Sequence, residues 1–340
     1  MSQAQSFEIA GRKIGIDQRP YLIAEVGINH GGKLDLARRM VIDAAASGAD
    51  AVKLQVFRSE LFLARSSAFF DVLKSAELGE PAIRELMQLA RDNGIALFSS
   101  VFDTPSAKLM AELDAPAYKI ASGDVTNLPL LCEVARLRKP IIFSSGGATI
   151  GEVETALTAI RTADADARVA VLHCVSNYPT KPQDANLACL KTMASQLNVP
   201  IGFSDHTHGE ATGIAAVACG ASIIEKHFTY DRSAEGPDHA LSSDPEGFKR
   251  LADGMLVAWE SLGRHTKMPV EPPDFIPLIR RSLTALRPIA AGQVIGEGDL
   301  AIKRPGTGIE PRHFDRVIGM RASAAIAQDE TLTWSKLTKV

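Results

Sequence analysis

The sequence predicts an α/β protein, a (β/α)8 TIM barrel with an N-terminal hairpin, followed by a small β-rich module. Three observations carry this expectation. Eight short apolar runs recur at 21–26, 51–57, 96–101, 117–121, 140–145, 169–174, 200–204 and 222–228, a number and spacing that suit buried parallel strands. The stretches between them carry helical spacing, as at Ile83, Leu86, Met87 and Leu89 or Val153, Ala156, Leu157 and Ile160. Gly48, Gly94 and Gly220 fall where a helix should stop before the next strand. The last two runs each lead into a histidine, in Ile201-Gly202-Phe203-Ser204-Asp205-His206 and Ser222-Ile223-Ile224-Glu225-Lys226-His227, with a helix-like stretch over 209–220 between them. That is a β-α-β unit, so the strands should be parallel neighbours with both imidazoles at their carboxyl-terminal edge, where such barrels keep their active sites. An open doubly wound sheet is the alternative, but no GxGxxG follows the first run.

The elements follow in order. Residues 7–16 read as a hairpin turning at Ala10-Gly11, placed to plug the floor of the barrel. The barrel domain is expected over 1–265. Pro269, Pro272, Pro273 and Pro277 mark 266–280 as a linker that cannot be a helix. Residues 281–340 form the separate module, with short strands and turns at Ala291-Gly292 and 296–298. About 60 residues is marginal for independent stability, so this module is expected to dock on something.

Composition excludes several classes. Of 340 residues 46% are apolar and 23% charged, as in soluble globular proteins, and a net charge of -3 gives no electrostatic reason to bind nucleic acid or a membrane surface. Residues 1–6 lack the basic start and apolar core of a signal peptide, and no apolar run approaches the roughly 20 residues of a membrane span. Cys132, Cys174, Cys189 and Cys219 are scattered without CxxC spacing, which suits free thiols in the cytoplasm.

Polar residues gather where the apolar runs end: Glu25; Lys53 and Gln55; Ser99 and Ser100; Lys119 and Ser122; Ser144 and Ser145; His173, Ser176 and Tyr178; Ser204 and His206; Glu225 and His227. In a barrel these converge on one mouth. Two strand lysines with several hydroxyls suit a multiply charged anion such as a phosphorylated acid. Adjacent strands lie about 4.8 Å apart, so two imidazoles at the same edge can share one divalent ion. Each residue alone has a plainer reading. A strand histidine is usually a satisfied buried group, Lys53 can pair with Glu25, and Ser144 and Ser204 can cap helices. Asp205 and Glu225, flanking the histidines, can point toward the helices. The convergence carries the functional expectation.

At these residues the sequence resembles the sialic acid synthases (N-acetylneuraminate synthases) and their legionaminic and pseudaminic acid relatives. The matching stretches are Ile23-Ala24-Glu25-Val26-Gly27-Ile28-Asn29-His30-Gly31-Gly32, Val52-Lys53-Leu54-Gln55 and Tyr118-Lys119-Ile120-Ala121-Ser122-Gly123. They continue through His173-Cys174-Val175-Ser176-Asn177-Tyr178-Pro179-Thr180, Phe203-Ser204-Asp205-His206-Thr207, Glu225-Lys226-His227-Phe228-Thr229 and Gly236-Pro237-Asp238-His239. Lys303-Arg304-Pro305-Gly306-Thr307-Gly308 resembles the antifreeze-like SAF domain that ends these enzymes.

The resemblance implies condensation of phosphoenolpyruvate with an N-acyl hexosamine, typically N-acetylmannosamine, giving a nine-carbon 2-keto acid and phosphate. It implies Mn2+ or Mg2+ held by His206 and His227, and phosphoenolpyruvate contacts from Lys53, Lys119, Ser122, Ser144 and Ser204, with Ser100 where a threonine is common. It further implies groups around the metal and the sugar at Glu25, Gln55, Tyr178 and Asp238. Arg304 is implied to reach into the partner subunit's site, hence a domain-swapped homodimer. The sequence departs from the family at Asp124, where a sugar-contacting glutamate is frequent, at Ser176-Asn177, which permute what some relatives have before Tyr178, and at 58–80, a segment shorter than the loop many relatives place over the sugar. A diacetamido-trideoxy hexose, as in legionaminic or pseudaminic acid synthesis, is the alternative acceptor. A Schiff-base pyruvate aldolase using Lys53 or Lys119, or a catalytically silent carbohydrate-binding barrel, are the readings from other classes. The histidine pair counts against the aldolase, and the joint presence of the lysines, histidines and Arg304 counts against the silent barrel.

Overall fold

The structure, a computed structural model, describes residues 6–263 and 266–339. Residues 1–5, which bear on the signal-peptide expectation, lie outside it, as do 264–265 at the expected barrel boundary and residue 340. The chain divides into two compact units, Met1–Gly263 and Arg264–Val340.

In the first unit, β1 (Phe7–Ile9) and β2 (Arg12–Ile14) form an antiparallel hairpin whose turn residues Ala10 and Gly11 both take positive φ, 49° and 78°. Eight parallel strands follow: β3 (Tyr21–Gly27), β4 (Ala51–Val56), β5 (Ala96–Val101), β6 (Tyr118–Ile120), β7 (Ile141–Ser144), β8 (Val169–Cys174), β9 (Ile201–Asp205) and β10 (Ile223–His227). They close into a barrel in sequence order, with β10 pairing back onto β3. The helices are α1 (Leu34–Ala46), α2 (Ser59–Phe62), α3 (Phe70–Ala76), α4 (Glu80–Asp92), α5 (Thr104–Glu112), α6 (Leu128–Arg136), α7 (Ile150–Ala163), α8 (Cys189–Leu197), α9 (Ala211–Ala218) and α10 (Pro245–Leu262). Several begin at side-chain caps that satisfy otherwise orphaned amides. Asp103 accepts from Ser106 N at 2.7 Å, Asp244 accepts from Gly247 N at 2.8 Å, and Thr149 with Glu152 forms a reciprocal capping box.

Strand side chains alternate between two faces, which divides the barrel's contents into two cores. The outward set, including Leu22, Val52, Leu97, Tyr118, Phe143, Val171, Phe203 and Ile224, packs against helix residues such as Met40, Leu86, Val134, Ile160 and Leu251. The inward set at the floor, Tyr21, Ile23, Ala51, Phe98, Ile142, Leu172 and Ile223, packs with Phe7, Ile9 and Ile14 of the hairpin. The hairpin therefore closes the amino-terminal end of the barrel with apolar side chains, as expected. Each such fully buried Ile, Leu or Phe contributes about 1.5–3 kcal/mol by removal from water. Above this layer the inward positions turn polar.

In the second unit β11 (Ser282–Ala285) pairs antiparallel with β12 (Leu300–Lys303), and β13 (Arg321–Ala322) with β14 (Leu337–Thr338). A core of Leu283, Ile289, Ile295, Val317, Ile326 and Leu332 holds them together, with the short α12 (Phe314–Val317) beside it. The expected turns are present: Gly292 takes φ 82°, and Asp299 closes the turn after Gly296 by accepting its amide at 2.8 Å. The linker expectation needs one correction, because α11 (Phe275–Ile279) is a short helix containing Pro277. Pro277 is its third residue, and the first amides of any helix have no intrahelical acceptor, so the missing donor costs nothing there.

Candidate active site

The polar layer is built from inward positions near the carboxyl ends of the strands. On β4 the Lys53 Nζ donates to Ser100 Oγ at 2.8 Å and lies 2.8 Å from Glu25 Oε2 and 3.6 Å from Glu225 Oε2. On β6 the Lys119 Nζ donates to Ser144 Oγ at 2.6 Å and lies 3.7 Å from Glu225 Oε1. Ser204 donates to Glu225 Oε1 at 2.9 Å, and Gln55 Nε2 donates to Glu25 Oε1 at 3.1 Å. Lys53 thus does pair with Glu25, and the pair still lines a cavity of about 370 Å³ open to the mouth. Ser144 and Ser204 face the interior and bond to charged side chains, so the helix-cap reading fails for both.

Two further sequence readings are corrected by strand parity. Asp205 does point outward, but Glu225 points inward, because it shares parity with His227 while Ile224 and Lys226 share the other. Ser99 and His173 were expected at the mouth; their side chains instead bond backbone carbonyls, Ser99 that of Leu54 at 3.0 Å and His173 that of Ala185 at 2.8 Å. Ser145 likewise bonds the Leu172 carbonyl. On β8 it is Cys174, not singled out from the sequence, that faces the cavity. The alternation of β8 would have placed it there.

At the rim the imidazoles of His206 and His227 have ring centroids 5.3 Å apart. His206 Nδ1 lies 2.8 Å from the Val175 carbonyl, which can only accept, so that nitrogen carries the proton and in the neutral ring it is Nε2 that has the lone pair. His227 Nδ1 is buried without a hydrogen-bond partner and lies 3.8 Å from Asp238 Oδ2. The Tyr178 ring covers His206 at 4.2 Å and meets His227 edge-on at 5.9 Å.

The charges are strongly tuned. Burial opposes ionisation of Glu225, but Lys119 and Lys53 outweigh it and hold its pKa down to about 2. Burial, helped by Glu225, raises the Glu25 pKa despite Lys53. The Lys53 ammonium is buried, yet the two carboxylates hold its pKa above the ordinary value. For Lys119 burial wins and the pKa is lowered, although it is the group that most depresses Glu225. The two directions agree physically: one carboxylate serves two ammonium groups, and Lys119 is left short of negative charge. Burial, His206 and Lys53 drive the His227 pKa well down, so it is a neutral imidazole. Burial also disfavours charge on His206, but Cys174, the Val175 carbonyl and Glu225 raise its pKa overall.

Ser122 and Ser176 meet over Gly146. The Gly146 amide donates to Ser122 Oγ at 2.9 Å, and a Cβ on Gly146 would overlap Ser176 Oγ and stand 3.2 Å from Cys174 Sγ. Asp124, in the turn Ser122–Asp124, instead accepts from Asn127 Nδ2 at 3.0 Å and is not among the cavity's lining residues; burial raises its pKa. Residues 58–80 fold into α2 and α3, and Phe62, Phe69 and Leu73 from this segment join Ile28 and Phe102 as an apolar wall of the cavity. Arg304 lies in the second unit, exposed, just after β12.

Among the described residues no group of three or more His, Cys, Asp or Glu side chains is arranged to hold a metal ion. The candidate donors are the two imidazoles. They fit a divalent ion chemically: His227 Nδ1 is an orphaned buried nitrogen and His206 offers its Nε2 lone pair.

Comparison with known proteins agrees with this geometry. A NeuB family profile matches residues 40–267 and a SAF domain profile matches 280–338. The chain belongs to the NeuB family. It is 37% identical to the N,N'-diacetyllegionaminic acid synthase of Legionella pneumophila over 93% of this chain and 94% of that one. It is 32% identical to the pseudaminic acid synthase of Helicobacter pylori over 93% and 97% of the two chains. The crystal structure of the N-acetylneuraminic acid (sialic acid) synthetase of Leptospira borgpetersenii in complex with citrate superposes with a TM-score of 0.76 at 35% identity, covering 78% of this chain and 93% of that one. The NeuB-family resemblance and the eight-stranded barrel expected from sequence are thus both borne out, and the last module is a SAF domain. No helix among the described residues is long and apolar enough to cross a membrane.

Proposed function

We propose that this NeuB-family chain is a sialic acid-type synthase that condenses phosphoenolpyruvate with an N-acyl hexosamine, releasing inorganic phosphate. The observation that carries the reading is a single cavity with two buried ammonium groups and their serine partners beneath a pair of imidazoles. Phosphoenolpyruvate is a small polyanion, and Lys53, Lys119, Ser100, Ser122, Ser144 and Ser204 offer it charged and neutral donors out of bulk water, where such contacts are strongest. Lys119, short of negative charge, gains most from an anion.

With the anion held on this floor, its methylene carbon faces the rim, where Gln55, Tyr178, Asp238 and the imidazoles orient the open-chain sugar. The new C–C bond forms from that methylene to the aldehyde carbon, and the aldehyde oxygen takes a proton to become a hydroxyl. Water adds to the former enol carbon and loses a proton, and the tetrahedral intermediate expels phosphate by C–O cleavage. Glu25 is the proton-handling group we assign to these steps, because its raised pKa and its Oε2, ion-paired with Lys53 but outside hydrogen-bonding geometry, leave it able to exchange a proton. A bound Mn2+ or Mg2+ on His206 and His227 would supply Lewis-acid polarisation of the sugar carbonyl. Holding both substrates in one cavity supplies proximity.

A specific observation favours a diacetamido-trideoxy hexose over a hydroxyl-rich sugar. Ile28, Phe62, Phe69, Leu73 and Phe102 wall one side of the cavity, and the only Lys or Arg lining it among the described residues are the two floor lysines. Methyl and acetamido groups suit such a wall. Arg304 is assigned to the sugar in the partner subunit of a domain-swapped homodimer. Mixing an Arg304→Ala chain with a His206→Ala chain should then restore activity, and no recovery after verified subunit exchange refutes the swap. A cytoplasmic location accompanies the reading, in keeping with free cysteines at 132, 174, 189 and 219.

The deciding experiment is phosphate release from phosphoenolpyruvate with Mn2+, across N-acetylmannosamine, its 6-phosphate and diacetamido-trideoxy hexoses, with a chelator control. Chelator-sensitive release with one sugar supports the reaction and names the acceptor. Silence with every sugar in folded, metal-loaded protein refutes it.

A further inference from the structure

Behind the two histidines, on the opposite face of their strands, lies an ion pair for which the reaction above has no use. Lys226 and Asp205 are opposed in the β9–β10 register and their side chains are 1% and 0% exposed. Lys226 Nζ donates to Asp205 Oδ2 at 2.9 Å and also to the Thr207 carbonyl. Asp205 Oδ1 accepts from the Thr207 amide at 2.9 Å and from its hydroxyl at 2.8 Å. The amide, the carbonyl and the side chain of Thr207 are thus all held by this one pair.

Its location is informative. The β9–β10 pairing ends at the Asp205–Lys226 step, so His206 sits one residue beyond the ladder, where sheet hydrogen bonds to β10 no longer hold it. On the β8 side the His206 carbonyl accepts from the Thr180 amide at 2.9 Å. On the β10 side, the Lys226–Asp205–Thr207 contacts take over from the ladder. A buried ion pair adds little net stability compared with a well-packed apolar pair, so its presence is better accounted for by geometry than by stability.

We propose that Lys226 and Asp205 are positioning residues that tie the His206-bearing end of β9 to β10 and thereby set the spacing of the two imidazoles. This rests on the proposed metal-binding role of that pair. Side chains that orient ligating groups from behind typically change metal affinity by about 10–100-fold when removed.

The test uses the full chain and Mn2+ alone, without substrates. Mn2+ affinity is read from loss of the free ion's paramagnetic resonance signal, and hydrogen exchange is followed in the peptide spanning 203–210. Lys226→Met should weaken Mn2+ binding about tenfold and speed exchange of the Thr207 amide, well below its melting temperature. Binding within twofold of wild type, with or without faster exchange, overturns the proposal. If Lys226→Met fails to fold, Thr207→Val removes only the hydroxyl bond to Asp205. It should weaken Mn2+ about threefold, and unchanged affinity overturns the proposal equally. If wild-type protein binds no Mn2+, the metal reading fails separately. Exchange then judges the clamp, and an unchanged rate in either variant overturns it.

Discussion

Replacing Glu225 with glutamine should make the ligand-free protein less stable and its anion affinity higher at once. Glu225 is the shared counter-charge for Lys53 and Lys119, at 3.6 and 3.7 Å, inside the barrel. Moving its pKa from the ordinary 4.5 to about 2 corresponds to about 3 kcal/mol of folding free energy near neutral pH. Loss of one partner from a buried charge cluster costs a similar ~3–5 kcal/mol. For a domain of this size that is roughly 5–10 °C in melting temperature. The pH dependence has a definite sign. A carboxyl whose folded pKa is depressed contributes its full stability above its unfolded pKa and loses it as pH falls through the folded value. The gap between wild type and Glu225→Gln should therefore be constant near neutrality, narrow below pH 4.5 and close near about 2. An anion on the two lysines would lie about 5 Å from the missing charge, worth up to ~3 kcal/mol at an effective dielectric of about 20. Inorganic phosphate should accordingly bind the variant at least about tenfold more tightly and raise its melting temperature by more than it raises that of wild type. Thermal scans from pH 2.5 to 7, with and without phosphate, read all of this. A variant as stable as wild type at pH 7, or one that binds phosphate no better, would refute the assignment of Glu225 as the lysines' counter-ion.

Three other expectations follow from the site. His206→Ala or His227→Ala should abolish chelator-sensitive phosphate release while circular dichroism stays native; full turnover in either would remove the metal assignment. Gly146→Ala should raise KM for phosphoenolpyruvate about tenfold, because the new methyl crowds Ser176 and displaces the Ser122 hydroxyl; no effect of the alanine would mean that the Ser122 hydroxyl does not bind substrate. Phe69→Ser should raise KM for the sugar by about three- to tenfold and leave phosphoenolpyruvate affinity within twofold, and a change confined to phosphoenolpyruvate would misplace the apolar wall.

Much of this protein could be read from its chain because a barrel writes its pattern locally. Each strand is a short apolar run, each helix a 3.6-residue stripe, and each junction a glycine or a cap, so the order and closure of the eight strands followed from repetition alone. The same regularity placed Lys53, Lys119, His206 and His227 at one edge, since every parallel strand ends at the same mouth. The hairpin at 7–16 was equally local, with Gly11 free to take positive φ at the turn.

What required the tertiary structure was anything decided across strands. Glu225 was separated from Asp205 only by knowing which strand face meets the barrel axis, a choice set by packing Ile223 inward against the floor and Ile224 outward against the helices. Ser99 and His173 shared the mouth in the sequence reading and left it for the same reason, while Cys174 entered. The pairing of one carboxylate with two lysines, the depressed Glu225, the neutral His227 and the clamp around Thr207 join residues from different strands. Their energies depend on burial and on distances of a few ångströms that no single segment encodes. The sequence by itself determined which strand ends reach the mouth and in what order; only the closed barrel decided which side chains face it and which of them touch, because facing, pairing and desolvation come into being when non-adjacent segments pack.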